Sequence, residues 1–284
     1  MLRDRFLAAT TRVVGVPRVA AARRVVDRFN AADGGLLAAG VAYNVVLALI
    51  PIGIVATGLA GLLLNDAASR AEMVRTISAF LPPLAGVVDE IVGGLSKASP
   101  SLSIVGLLLA AWGTSRLFAG LESAIAQMDA GPRRSLARRT ARRLGSIAVL
   151  AGVLVAALVV TPTLTIAVEM SGSGPARPLF DLLLAFLPPV LGAIALAAVY
   201  RLIPLPRPAW RAIGLPTVVG AIALVALTRV FVFAAPRVFG TNLVYGTLGA
   251  ILIGLTWLDL VFTVVLLGAA WVRERATSVE AAVA

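Results

Sequence analysis

Hydrophobic residues in this chain do not alternate with polar ones; they run in blocks. Six blocks are long enough to cross a bilayer, which takes ~20 apolar residues: 36–64, 101–128, 144–168, 179–200, 212–235 and 244–272. Each holds at most a few ionisable groups, and segments rich in Arg, Pro, Gly and Ser separate them. The pattern predicts an all-α polytopic membrane protein with six transmembrane helices. It divides into a cytoplasmic amphipathic N-terminal segment 1–35, a membrane domain 36–272 and a short cytoplasmic tail 273–284.

Two polar segments keep a helical period of their own. In RVAAARRVVDRF, Val19, Ala22, Val25, Val26 and Phe29 recur at helical spacing against Arg23, Arg24, Asp27 and Arg28. This predicts a helix lying on the inner leaflet. In the long loop 65–100, Leu84, Val87, Val88, Ile91, Val92 and Leu95 make one apolar stripe, and Val74, Ile77 and Phe80 make another before the Pro82-Pro83 break. A helical hairpin capping the outer face is expected there, because a structureless loop of this length is uncommon.

Composition agrees with the blocks. Hydrophobic residues make up 60% and charged residues 14% of the 284 positions, against ~25% charged in a soluble chain. The mean hydropathy is +0.97. The chain has neither cysteine nor histidine, which removes disulfides, thiol or imidazole catalysis and Cys/His metal sites. Segment 1–35 is not a cleavable signal, because its arginines are scattered and the 29-residue apolar run after it exceeds the ~7–15 residues of a signal core.

A net charge of +11 would point to nucleic acid in a soluble protein. Its distribution changes that reading. Segment 1–35, the loops after the second and fourth runs, and the tail together hold 18 of the 25 basic residues, against five on the opposite side. That bias puts both termini in the cytoplasm. Contact with anionic lipid headgroups is compatible with it, and no nucleic-acid partner is expected.

The second run carries the most candidate chemistry. Gly106, Gly113 and Gly120 repeat every seven residues, and Ser103, Ala110 and Ala124 extend their face. Small residues let membrane helices approach closely. Helical phase places Arg116 within ~60° of that face, turned toward protein. Arg116 in the second run and Asp259 in the sixth lie at similar depth near mid-membrane, and Thr256 and Thr263 share the face of Asp259. A lone charge at that depth costs at least ~2.5–3.5 kcal/mol, so an Arg116–Asp259 contact, direct or through water, is expected. It reads either as a buried pair that fixes packing or as a substrate or proton site. Ser115 and Glu122 form a second stripe, and Glu122, Tyr43 and Asn44 are candidates for a cytoplasmic vestibule, or for interfacial anchoring and snorkelling. Pro51, mid-way along the first run, is the best candidate for a kink.

Absent motifs narrow the field. There is no GxxxxGK[ST], GxGxxG or GxSxG, and acidic residues are scattered singly apart from Asp89-Glu90. No catalytic residue, metal site or cofactor is expected, and an ATP-driven pump or a hydrolase is disfavoured.

Three stretches resemble one family. LAAGVAYNVVLALIPI at 37–52, GLLLAAWGTSRLFAGLESAIAQM at 106–128 and LVYGTLGAILIGLTWLDLVFTVVLLGAAW at 243–271 are similar, in order, to signatures of the YihY/BrkB family of bacterial inner-membrane proteins. The resemblance implies six inner-membrane helices with cytoplasmic termini, and a link to envelope integrity, serum resistance and export of envelope lipids. Two positions depart from the family pattern: Ala270 stands where an acid often follows LLGA, and Asp259 where an aromatic is common. The expected function is transport of a lipid-like or amphipathic envelope molecule. The alternative is a non-transporting scaffold or envelope-assembly factor acting through the hairpin 65–100. A ribonuclease label carried by the family finds no support in these residues. Substrate, coupling ion, direction and oligomeric state stay open.

Overall fold

The computed structural model describes residues 17–63, 102–129, 177–204, 207–239 and 246–283. These form six helices: α1 (Pro17–Ala31), α2 (Gly34–Leu63), α3 (Leu102–Asp129), α4 (Arg177–Leu202), α5 (Trp210–Phe239) and α6 (Gly246–Val283). There is no strand among the described residues. The expected run 144–168, the hairpin 65–100, the loop 130–143 and the segment 1–16 lie outside them.

Three of the helices are long and apolar enough to cross a membrane: Arg177–Leu202, Trp210–Ala234 and Ile251–Ser278. A fourth span arises if the bent pair Val19–Ala31 and Gly34–Ala48, which meet at 63°, is taken as one. The arginines of α1 fit a helix at the interface better than half of a span.

The bend between α1 and α2 has a local cause. Asp33 sits at φ 51°, a left-handed conformation that ends α1. Its amide donates to the Asn30 carbonyl at 3.0 Å, and its own carbonyl accepts from the Leu37 amide at 3.0 Å, which opens α2. Gly34 follows because a Cβ there would lie 2.4 Å from the Phe29 ring. Phe29 closes the corner from below and is itself buried.

Helix α6 is the hub, in contact with all five other described helices. On one side α2 packs closely against α3; on the other α4 packs against α5. The α2 face at this seam is made of small residues, with Ala38, Val41, Ala42 and Ala48 fully buried. Ala38 and Val41 share one core cluster with Leu121, Ala124, Ile125 and Met128 of α3, whereas Ala42 packs with Trp257 and Leu258 of α6. Close backbone approach of this kind maximises dispersion contact where lipid offers no hydrophobic drive.

The outer faces stay apolar. On α4, Leu179, Leu182, Leu183, Phe186, Val190 and Ile194 are all exposed, and α5 exposes Val218, Ile222 and Phe233. A contiguous exposed apolar face of this extent is matched to hydrocarbon rather than water. Helix α4 continues through Pro188 and Pro189, and α2 through Pro51.

Two elements differ from the sequence expectation. The last helix does not stop at 272 but continues to Val283, since residues 273–283 are rich in the helix formers Ala, Arg and Glu. Hydropathy marks where a helix leaves the membrane, not where it ends. Helix α1 is docked against α6 rather than only lying on a surface: Arg24 pairs with Glu274, and Arg28 reaches the same carboxylate at 3.7 Å. Arg275 Nη2 adds a bond to the Arg211 carbonyl at 3.1 Å, joining α6 to the first turn of α5. Arg201 donates to the Pro208 carbonyl and lies over the Trp210 ring at 5.2 Å, which ties down the α4–α5 connection.

Candidate functional site

One polar cluster forms where α2 meets α3. Gly120 is the key to the local geometry. A Cβ on it would lie 2.9 Å from Asn44 Nδ2 and 3.9 Å from Val41 Cγ2, so its absence lets the Asn44 amide seat against the α3 backbone. Gly113, two turns away on α3, is buried, as is Ala124. Nothing is described of the surroundings of Gly106 or of the Pro51 ring.

Arg116 lies one turn from Gly120, at the rim of this seam. Its Nε donates to Asn44 Oδ1 at 3.4 Å, and its guanidinium carbon is 5.5 Å from the centre of the Trp112 ring. A bond of 3.4 Å is long for a charged donor. The side chain is exposed, and its bond to Asn44 turns it toward α2. Trp112 is 55% exposed beside it.

The direct form of the expected Arg116–Asp259 contact is absent. Among the described residues no ion pair joins them, and Asp259 is half-buried on α6. Residue counting relates positions along a helix but could not say which neighbouring helix each residue faces. The Thr256 hydroxyl donates to the Leu252 carbonyl at 2.9 Å, within its own helix. Thr263 and Glu122 are half-buried, and Ser115 is exposed. Tyr43 points away from its neighbour Asn44 and is 54% exposed. The structure therefore brings together Arg116, Asn44, Gly120 and Trp112, and leaves Asp259, Thr256 and Tyr43 apart from them.

Several informative residues were not singled out by sequence. Trp257, two residues before Asp259, is buried with its indole Nε1 lacking a hydrogen-bond partner among the described residues, and Thr217 Oγ1 on α5 is in the same state. Tyr200, at the end of α4, is wholly buried and donates to the Val265 carbonyl of α6 at 3.0 Å. Its hydroxyl occupies a slot made by glycine: a Cβ on Gly268 would fall 2.0 Å from it, and one on Gly220 would fall 3.8 Å from it. A tyrosine at the end of one apolar run and glycines in two others give no sequence signal of meeting.

Ala270, the position where an acid is often found, is fully buried in the main core cluster. Asp259 lies 11 residues before it, close to the same helix face but ~16 Å further along the axis. Asp259 therefore does not supply a charge at the depth of Ala270.

Long apolar helices, a continuous outward apolar face and small-residue seams between helices define an integral membrane protein of the helical class. The chain belongs to the virulence factor BrkB family, whose model matches residues 25–283. That match begins inside α1 and runs to the end of α6, so it includes the helical extension bearing Glu274 and Arg275. No curated protein and no solved structure matches the chain.

Proposed function

We propose that this protein is a flippase-like exporter of a lipid-like or amphipathic envelope molecule in the bacterial inner membrane, with both termini in the cytoplasm. The observation that carries the reading is Arg116. A guanidinium near the middle of a 28-residue helix, exposed and held by one long bond, is costly against hydrocarbon. A group in that state fits a path along which a polar or anionic headgroup travels while its apolar chains stay in lipid. Asn44 positions the guanidinium, and Gly120 keeps Asn44 in place. The buried Trp257 Nε1, without a hydrogen-bond partner among the described residues, adds a donor at membrane depth on α6.

The reading needs no catalytic residue, metal or cofactor. Its partners are membrane lipids, with anionic headgroups at the cytoplasmic face, and an amphipathic substrate; assembly into an oligomer is left to measurement. The basic residues of 1–35, of the connecting loops and of α6 orient the chain.

The test is transbilayer movement of a fluorescent phospholipid in liposomes. The native chain is expected to speed that movement over protein-free liposomes, and Arg116→Ala to return it to the protein-free rate while keeping its helical content. A native chain inert toward every lipid tried shifts the assignment to a membrane scaffold.

A further inference from the structure

A second site lies away from Arg116, at the arginine-rich end of the molecule. A cavity of about 740 Å³ opens between α1, α5 and α6. Its size is within the ~300–1,000 Å³ of ligand sites. Its walls are apolar: Val219 and Ala223 from α5, Val264, Leu267 and Trp271 from α6, and Val25 and Val26 from α1. Its mouth is charged, with Arg24, Glu274 and Arg275.

The charge at the mouth does not balance. Glu274 is one carboxylate facing both Arg24 and Arg28, and Arg275 stands next to it. Asp27, the single acid of α1, is turned to Arg23 at 3.8 Å. The Nε groups of Arg28 and Arg275 are buried with no hydrogen-bond partner among the described residues. Of the two, Arg275 lines the cavity, so an anion at the mouth would meet surplus guanidinium charge and the unsatisfied Arg275 Nε.

The dimensions match one leaflet. From Glu274 to Val264 the groove rises ten residues of α6, ~15 Å at 1.5 Å per residue, which is half of the ~30 Å hydrocarbon core. Trp271 sits just inside the charged mouth, the level at which tryptophan anchors at a membrane interface.

We propose that this groove is a binding site for one anionic phospholipid of the cytoplasmic leaflet, with an acyl chain between α1, α5 and α6 and the phosphate against Arg24 and Arg275. Glu274 holds α1 over the groove, so bound lipid and the α1–α6 ion pair share one set of arginines. The site does not depend on the transport reading, since a scaffold would use it equally.

Native mass spectrometry of the full chain released from detergent tests this, with phosphatidylglycerol and phosphatidylcholine of identical acyl chains as probes. One phosphatidylglycerol is expected to stay bound in preference to phosphatidylcholine. Arg24→Gln with Arg275→Gln should reduce that preference by at least about fivefold, the effect of losing one basic contact at a membrane surface. Val219→Trp, at an exposed wall position, should displace both lipids without touching the charges. Equal retention of the two lipids overturns the proposal. So does a lipid-independent dimer that Val219→Trp dissociates, because a second copy then covers the groove. So does lipid binding that appears only after residues 1–16 are deleted, because the chain's own start then fills it. A native chain that holds phosphatidylglycerol here but moves no lipid in liposomes sinks the transport reading alone.

Discussion

Two polar groups near the ends and middle of this molecule meet opposite fates. Tyr200 is sealed between Gly220 and Gly268, with its hydroxyl donating to the Val265 carbonyl at 3.0 Å. Arg116 is exposed at the α2–α3 rim, with one bond of 3.4 Å to Asn44. Glycine creates both situations. At Gly268 its missing side chain makes a slot that a polar group fills completely. At Gly120 it closes the seam around Asn44 and leaves the charge outside. A satisfied buried group adds rigidity, whereas a charge held by one long bond has binding capacity in hand.

The largest effect on this contrast should come from Gly268→Leu. Tyr200 would have to leave its slot, and overpacking of this kind costs ~1–3 kcal/mol or more. Thermal unfolding in detergent is expected to show a lower midpoint with α4 loosened from α6; an unchanged midpoint would mean that the slot does not hold α4. Tyr200→Phe keeps the ring and removes one buried hydrogen bond, so a smaller loss of ~0.5–1.5 kcal/mol is expected in the same measurement.

Glu274→Gln probes a third setting, a partly exposed ion pair. Side-chain exposure is 55% for Arg24 and 15% for Glu274, so the loss should stay near ~0.2–1 kcal/mol and shrink in high salt. A double-mutant cycle with Arg24→Ala checks the coupling, and additive effects would mean that the pair does not fasten α1 to α6. Arg116→Ala should be nearly silent in stability, within ~0.5 kcal/mol as for other exposed positions. A large loss there would make Arg116 a structural residue and blur the distinction from Tyr200.

Much of the fold is written in local pattern. Runs of apolar residues located α2 to α6 to within a few residues at most ends, because the ~20-residue requirement of a bilayer leaves little choice. The alternation of Val25 and Phe29 with Arg24 and Arg28 located α1. What local pattern lacked was the destination of each face. Arg24 and Arg28 read as a solvated surface, yet they reach Glu274, 250 and 246 positions away in the chain. The tail read as polar and therefore as outside the membrane domain, while its Ala, Arg and Glu residues carry α6 onward to Val283.

The candidate site was legible in the same partial way. Counting along each helix placed Arg116 level with Asp259, and Asn44 level with Glu122. Partner choice follows from how helices pack in three dimensions. Arg116 consequently turned out to face Asn44 of α2 rather than Asp259 of α6. Tyr200 and Gly268 carry no charge and no motif, and only the packed structure brings them together.

Because the chain has no cysteine, one thiol placed at will reports on its own surroundings. Ser115→Cys sits beside Arg116 on the exposed rim, and Ala270→Cys sits in the sealed core. A water-soluble maleimide applied to the reconstituted protein is the direct test of a polar path at membrane depth. The account predicts labelling at 115 and none at 270 until the protein is unfolded. Absence of labelling at 115 in the intact bilayer would mean that hydrocarbon covers the Arg116 face, which contradicts a headgroup path there.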